Sequence, residues 1–380
     1  MKRLVAVLLL VLVTATAAAQ AAPRQAPLQF VTVVENRIWT ESPDEADSVA
    51  KLIVDAGFNS VRIFVPYSLG QAEIENDALR LCNAAVAARD NGLKLIVSIL
   101  GVKGHVPQGW AHVDRFIKTL NDHMYWLFGE NGCTADVKDF YVEILNEPNS
   151  KAFWRNQYDS EGNWIAPERY VRILSRVYPA LKAKAAELDV QVTVLAGALA
   201  SNHQPLEFIR LMGEEIKRLG AGVPLFDIFS HHPYPANSSE SPDTPHPAGN
   251  VIGIADYDQL VRALKSAFGY VPWIFYDEYG IETVIPNDQR YRYWGKSADS
   301  VKPVPEATQA EFYTQALRLC AEQPKVIGCA IFHLFDDPQL EWWQSGLYYY
   351  PDQIDDEHRP VAKSSLPDVR LALLEALGAL

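Results

Sequence analysis

Eight times along this chain of 380 residues, a short β-branched run gives way to a longer amphipathic stretch. The strand candidates are Phe30–Val34, Ser60–Val65, Lys94–Leu100, Tyr141–Asn146, Val192–Ala196, Phe226–Ser230, Trp273–Asp277 and Gly328–Phe332. Several of the intervening helices carry their own start signals. Ser42-Pro43-Asp44 places a capping serine before a first-turn proline, in a helix closing near Gly57. Ala166-Pro167-Glu168 opens another that runs to about Ala186; further helices cover Asp256 to Phe268 and about Pro367 to Leu377. Strands apolar on both faces imply a parallel sheet covered by helices. Eight such units let the sheet close on itself, so the predicted fold is a single α/β domain, a (β/α)8 barrel. An open doubly wound sheet is the competing arrangement, but no GxGxxG or GxxxxGK[ST] follows any strand. No Gly/Ser-rich linker divides the chain, and the Pro- and Ser-rich stretch Pro233–Gly249 reads as a long loop inside one unit.

The first 22 residues stand outside this pattern. Lys2 and Arg3 precede the apolar run Leu4–Val13, and Ala17-Ala18-Ala19 and Ala19-Gln20-Ala21 offer small-residue cleavage sites. That is the pattern of a signal peptide, with an apolar run too short to span a bilayer. The expectation is a removed leader at 1–22, a barrel domain at 23–380, a secreted or periplasmic location, and no membrane association afterwards. A balance of 34 Lys and Arg against 47 Asp and Glu, net −13, argues against nucleic-acid binding and attraction to anionic membranes. Export makes disulfides possible among Cys82, Cys133, Cys320 and Cys329. Four cysteines allow three connectivities. Cys320–Cys329 is attractive because it would close a short helix-to-strand return, and the lack of a CxxC spacing disfavours zinc.

In a barrel of this kind the chemistry sits at the C-terminal ends of the strands. Two glutamates fall there: Glu147 in Asn146-Glu147-Pro148-Asn149 after the fourth strand, and Glu278 in Asp277-Glu278-Tyr279-Gly280 after the seventh. The fourth and seventh strands face each other across an eight-stranded barrel, so the two side chains can approach over its mouth. Paired carboxylates across a cleft suit glycosidic bond cleavage, one protonating the leaving oxygen while the other attacks or activates water. His231-His232, with His203 and His246, invites a metal reading, but no carboxylate or cysteine partners stand at ligand spacing. No metal or cofactor is expected. Asn237-Ser238-Ser239 is a glycosylation sequon, a triplet that is common by chance.

Asn146-Glu147-Pro148 after strand four and Glu278 after strand seven resemble clan A of the retaining glycoside hydrolases, and the resemblance covers essentially the whole chain after the leader. It implies Glu147 as general acid/base, Glu278 as nucleophile, and Asn146 as the group binding the sugar 2-hydroxyl. It also implies Arg62 beside the nucleophile, and His232-Pro233-Tyr234 as the clan's His-x-Tyr, whose tyrosine hydrogen-bonds the nucleophile. Charge and hydrogen bonding from Arg62 and Tyr234 would favour an ionised nucleophile. Asn-Glu-Pro-Asn followed by Phe153-Trp154 is similar to family 39, whereas Arg62 and His-Pro-Tyr are similar to family 5. Many members carry a tryptophan near the end of strand eight as the floor of the sugar site. Here His333 stands in about that place, with Trp342 and Trp343 following in the loop. The His motif common in family 5 at strand three is also missing, although His105 follows in the next loop.

The loops after the strands are rich in aromatic side chains, which pack on the apolar C–H faces of sugars. Trp110, Trp154, Tyr158, Trp164, Tyr291, Tyr293, Trp294, Trp342 and Trp343 are the candidates. Lining an elongated cleft, they would favour a polymer: β-glucan, mannan, xylan or an exopolysaccharide. A transglycosylase would use the same carboxylates, with a sugar hydroxyl in place of water. A barrel that binds carbohydrate without cleaving it is the reading from a different class.

Overall fold

The computed structural model describes residues 27–67, 77–101, 104–220, 224–247, 249, 251–284, 298–337, 343–350 and 359–380. The expected leader at 1–22 therefore lies outside the described residues. Along the chain run β1 (Phe30–Val34), α1 (Pro43–Asp55), β2 (Ser60–Tyr67), α2 (Asp77–Asp90), β3 (Lys94–Gly101), α3 (Trp110–Phe128) and β4 (Asp139–Glu143). Then come α4 (Ala166–Glu187), β5 (Gln191–Ala200), α5 (Pro205–Leu219), β6 (Ile228–His232), α6 (Tyr257–Phe268) and β7 (Trp273–Tyr279). The chain finishes with α7 (Ala298–Val301), α8 (Glu306–Glu322), β8 (Val326–Phe332) and α9 (Leu366–Ala376). All eight strands are parallel and close in sequence order, β8 returning to β1 through the register Phe30↔Gly328 to Val34↔Phe332. This is the (β/α)8 barrel that the eight repeats predict.

The helix start signals act as read. Ser42 Oγ accepts from Glu45 N at 3.2 Å, Pro43 opens α1, and Gly57 takes φ 102° just beyond its end. Two apolar layers result. Alternate strand residues such as Val31, Val33, Val61 and Ile63 pack outward against the helices. Phe30, Ile96, Ile228, Phe275 and Ala330 point inward and fill the barrel, with Phe30 edge-on to Tyr141 at 5.1 Å. Among the described residues no helix is long and apolar enough to cross a membrane.

Three strands break the strict alternation. On β5, four residues from Ala196 to Leu199 oppose three from Phe229 to His231 on β6; on β7, Tyr276 to Tyr279 oppose Cys329 to Ile331 on β8; and on β8, Val326 to Gly328 oppose Ile274 and Phe275 on β7. Each is a one-residue bulge, which re-aims the side chains beyond it. Gly197 makes the β5 bulge possible: its φ is 119°, and a Cβ there would stand 2.4 Å from the Ser230 carbonyl.

The disulfide differs from the expectation. Cys82 on α2 joins Cys133 after α3, with Cα atoms 5.8 Å apart, whereas Cys320 and Cys329 are buried free thiols. The return from α8 to β8 is closed by backbone hydrogen bonds, Gln323 N to Cys320 O and Val326 N to Gln323 O. Its two thiols pack within the apolar layer between helix and strand.

Candidate active site

The β4 strand ends at Glu143, three residues before the expected boundary, because the chain then leaves extended geometry. Leu145 (φ 68°) and Glu147 (φ 41°) both adopt left-handed backbone, a costly conformation for side chains of this size. The β5 bulge holds them there. Ile144 N donates to Leu195 O, Glu147 N donates to Ala198 O, and Tyr170 Oη bridges Ile144 O (2.7 Å) and Gly197 N (2.9 Å). Asn146 and Glu147 are thereby turned over the barrel mouth. Across the barrel, the β7 bulge allows the consecutive acids Asp277 and Glu278 both to join the same inward-facing network.

Arg62, fully buried on β2, is the hub of that network. Its Nη1 donates to Glu278 Oε1 at 2.8 Å, and its Nη2 donates to Asn146 Oδ1 (2.9 Å), Ser98 Oγ (3.1 Å) and Glu143 Oε2 (2.5 Å). Its Nε reaches the same Glu143 oxygen at 3.1 Å and lies 3.5 Å from Asp277 Oδ2. Glu143 also accepts from Ser98 Oγ (2.6 Å) and Ser230 Oγ (2.7 Å). Burial pushes the Glu143 carboxyl up to about 7 against the opposing pull of Arg62. Burial also raises Glu278 above the usual carboxylate range, with His232 and Arg62 pulling it back. The expectation from sequence weighed only the partners that favour ionisation; the desolvation of a nearly sealed carboxyl is the opposing influence.

His232, at the end of β6, sits between the two glutamates. Its Nδ1 is 3.0 Å from Glu147 Oε1 and 3.3 Å from Glu278 Oε2. Burial works against its proton, but Glu278 and Asp277 outweigh that and raise the imidazole well above its ordinary value. Tyr234 donates its hydroxyl to Glu278 Oε2 at 3.1 Å, and burial followed by the charge of Glu278 keeps the phenol protonated. Glu147 is the most open of the group, its side chain 16% exposed against 7% for Glu278 and none for His232.

One ligand atom each from Glu147, His232 and Glu278 lie within 4.8 Å of one another, a spacing that a divalent cation also uses. The Glu278 oxygens already accept from Arg62 and Tyr234, and a guanidinium 2.8 Å away opposes a second cation. The trio fits proton transfer between acids better than metal ligation. The other histidines of the metal reading lie elsewhere: His231 bonds Ile252 O, the His203 carbonyl accepts from Asn149, and His246 bridges Asp256 and Glu240.

Arg62, Asn146, Glu147, His232, Tyr234 and Glu278 thus converge. Trp154 does not, and this corrects the reading of it as a sugar platform. It is 1% exposed and packs edge-on to Tyr170, because Trp154 N returns to Ser150 O and folds the side chain beneath the loop. Trp294 and Trp342, with Tyr291 and Tyr293, lie outside the described residues. Trp343 stands beside Tyr234, the hydroxyl donor to Glu278, with its ring 5.3 Å from the Tyr234 ring and 5.3 Å from Phe332. His333 instead lies flat on Phe332 at 3.9 Å. Trp110 and Tyr158 are exposed, Tyr158 stacked on Trp164. Sequence reasoning missed Glu143, Asp277, Ser98 and Ser230. The available signal was an acid inside each of two otherwise apolar strands, Tyr141-Val-Glu143-Ile and Phe275-Tyr-Asp277-Glu278.

The fold and site define a closed eight-stranded barrel with two opposed carboxylates at its mouth. Solved structures of similar fold include a fungal β-1,4-galactanase, with 14% identity, a TM-score of 0.58, and 90% of this chain and 99% of that one covered. An endo-β-1,4-mannanase from Thermotoga petrophila gives 14% identity and a TM-score of 0.51 over 94% of this chain and 78% of its own. A calcium-binding mutant of Bacteroides uniformis β-glucuronidase 2 gives 13% identity and a TM-score of 0.55 over 92% of this chain. The present chain spans about a third of that glucuronidase's length, 34%. At such identities the likeness is one of fold. No protein-family model and no curated protein matches the sequence.

Proposed function

We propose that this protein is a secreted or periplasmic retaining β-glycoside hydrolase acting on a polysaccharide. The carrying observation is the trio of Glu147, His232 and Glu278 within 4.8 Å at the barrel mouth, with Arg62 and Tyr234 bonded to Glu278. With one oxygen of each carboxylate inside that limit, the two acids approach more closely than the roughly 6.5–9.5 Å that admits a water in inverting pairs, which supports the retaining reading. Glu278 attacks the anomeric carbon while Glu147 protonates the departing oxygen; Glu147 then deprotonates the water that releases the glycosyl group. Asn146, held by Arg62, is placed to bind the sugar 2-hydroxyl. Trp343 and the exposed Trp110 and Tyr158 offer surfaces for further sugar units. Export is supported by the leader pattern at 1–22, and a polymeric β-glycoside by the named substrates of the galactanase and mannanase of similar fold.

The test is reducing-sugar release on β-glucans, mannans, xylans, galactans and bacterial exopolysaccharides, with Glu278→Ala beside the wild type. Release lost in the variant supports the reading. A wild type that binds these polymers and releases nothing points to a carbohydrate-binding barrel.

A further inference from the structure

Asp277 has no part in the chemistry just described, yet it is fully buried, and neither carboxylate oxygen makes a hydrogen bond of normal geometry. Its nearest cationic atoms are Arg62 Nε and His232 Nε2, each at 3.5 Å. A buried carboxylate in such surroundings is costly unless paired with positive charge. The Arg62 guanidinium is shared among Glu143, Asn146, Ser98 and Glu278, and its Nε is closer to Glu143. The second positive charge has to come from His232.

We propose that Asp277 is a positioning residue for the acid–base step: it fixes a proton on His232 Nε2, so that the proton delivered by Glu147 is shared between Glu147 Oε1 and His232 Nδ1. This rests on the glycosidase reading and adds to it the device that stores the proton. His232 Nε2 is likewise buried without a hydrogen bond of normal geometry and lies 3.5 Å from Asp277 Oδ1, while Nδ1 lies 3.3 Å from Glu278 Oε2 and 3.0 Å from Glu147 Oε1. One proton occupies that gap, either on Nδ1 and donated to the carboxylate, or on Glu147 and donated to Nδ1. In the first step it passes to the glycosidic oxygen as the bond from that oxygen to the anomeric carbon breaks and the bond to Glu278 forms. In the second, water adds its oxygen to the anomeric carbon, Glu278 departs, and the water's proton returns to the Glu147–His232 pair.

The other titratable groups facing the pair set the charge around it. From β6, His231 is held neutral, burial pushing it down to about 4, and bonds the Ile252 carbonyl. From the β6 loop and α4, Tyr234 and Tyr170 retain their phenol protons. From β4, burial biases Glu143 towards its protonated form. Arg62 from β2 then offsets one of the two carboxylates Asp277 and Glu278 from β7, while Glu147 and His232, sharing one proton, are neutral together, so the cluster keeps one negative charge that favours a proton on the pair. Asp277 is correspondingly lowered: burial works against its charge, but His232, the Glu143 proton and Arg62 prevail.

Asp277→Asn keeps an oxygen for Nε2–H and removes the charge. The basic limb of the kcat/KM profile should move to lower pH by about one to three units, the range expected for losing an adjacent opposite charge, with no upward shift of the acidic limb. Titration of His232 by nitrogen-15 NMR of histidine-labelled protein, assigned through His232→Gln, should fall by a similar amount. Should the asparagine variant not fold, Asp277→Ser supplies the same comparison. The wild-type titration needs neither variant nor substrate: a His232 that loses its proton at or below about 6.5, the ordinary histidine value, overturns the proposal. A variant slowed equally at every pH, with both limbs unmoved, overturns it as well. Wild-type protein inert on every glycoside would instead sink the hydrolase reading, and the His232 titration would then decide the Asp277 pairing separately.

Discussion

Arg62 Nη1 donates to Glu278 Oε1 at 2.8 Å, while two other nitrogens of the same guanidinium hold Glu143 on the opposite side of the barrel. One residue on β2 therefore binds carboxyl groups contributed by β4 and β7. Arg62→Met would leave both acids buried without their cation, and the expected loss is about 3–5 kcal/mol. Arg62→Lys should recover only part of it, since an ammonium cannot reach Glu143, Asn146 and Glu278 together with directed bonds. Urea denaturation of the two variants beside the wild type checks both statements.

Glu143 gives the protein a pH-dependent component of stability with a definite sign. Its folded carboxyl is raised to about 7 by burial, whereas in the unfolded chain it titrates near its ordinary value of 4.5. Between those values the folded state holds the proton and the unfolded state does not, so this contribution is present at low pH and is lost as pH rises through about 7. Glu143→Gln removes the titration. Its stability relative to wild type should therefore climb between about pH 4.5 and 7, then level off. A constant difference across that window, measured by chemical denaturation, would show that Glu143 is ionised in the folded protein throughout.

Trp154 and Trp343 should separate packing from substrate contact. Trp154 is sealed against Tyr170, so Trp154→Ala should cost about 3–5 kcal/mol, with KM unchanged in whatever protein still folds. Trp343 is only partly buried and flanks Tyr234, so Trp343→Ala should raise KM several-fold at a smaller stability cost. Melting curves and steady-state kinetics on the responding polymer read the two effects independently.

How the two tryptophans diverge shows what a sequence can and cannot reveal here. The barrel was legible because its signals are local: β-branched runs, the Ser42 cap, and prolines at helix starts. Glu147 and Glu278 were legible because strand ends in a barrel converge by topology. Side-chain direction beyond a bulge was not legible. Simple alternation puts Asp277 and Glu278 on opposite faces, and only the extra residue between Tyr276 and Tyr279 brings both inward. The left-handed backbone at Leu145 and Glu147 depends on bonds from β5, a partner distant in sequence, so the end of β4 was misplaced. Trp154 has the same loop context as an exposed tryptophan, and only tertiary packing buries it.

The Cys82–Cys133 bridge ties α2 to the turn after α3 across 51 residues. Closing a loop of that length should stabilise the protein by about 4 kcal/mol through the entropy of the unfolded chain. Cys82→Ser should lower the melting temperature accordingly, and a reducing agent should lower the wild type to match. Cys320 and Cys329 should resist alkylation until the protein unfolds, because both are buried. Mass spectrometry after alkylation under native conditions should find no modification at either.

The two glutamates are distinguished by how each loss depends on the leaving group. Without Glu147 the departing oxygen receives no proton, so Glu147→Ala should slow cleavage of natural glycosides by about 10²–10⁴-fold. An aryl glycoside whose leaving group departs as a stable anion should react nearly as before in its first step. Glu278→Ala removes the atom that attacks, so every substrate should suffer, activated or not. Azide can enter the space left by that carboxylate and attack from the same face. A β-glycoside should then yield the α-glycosyl azide, a product that only the nucleophile variant can form. Recovery of the β-azide from Glu278→Ala would place the nucleophile on the other carboxylate and reverse the assignment.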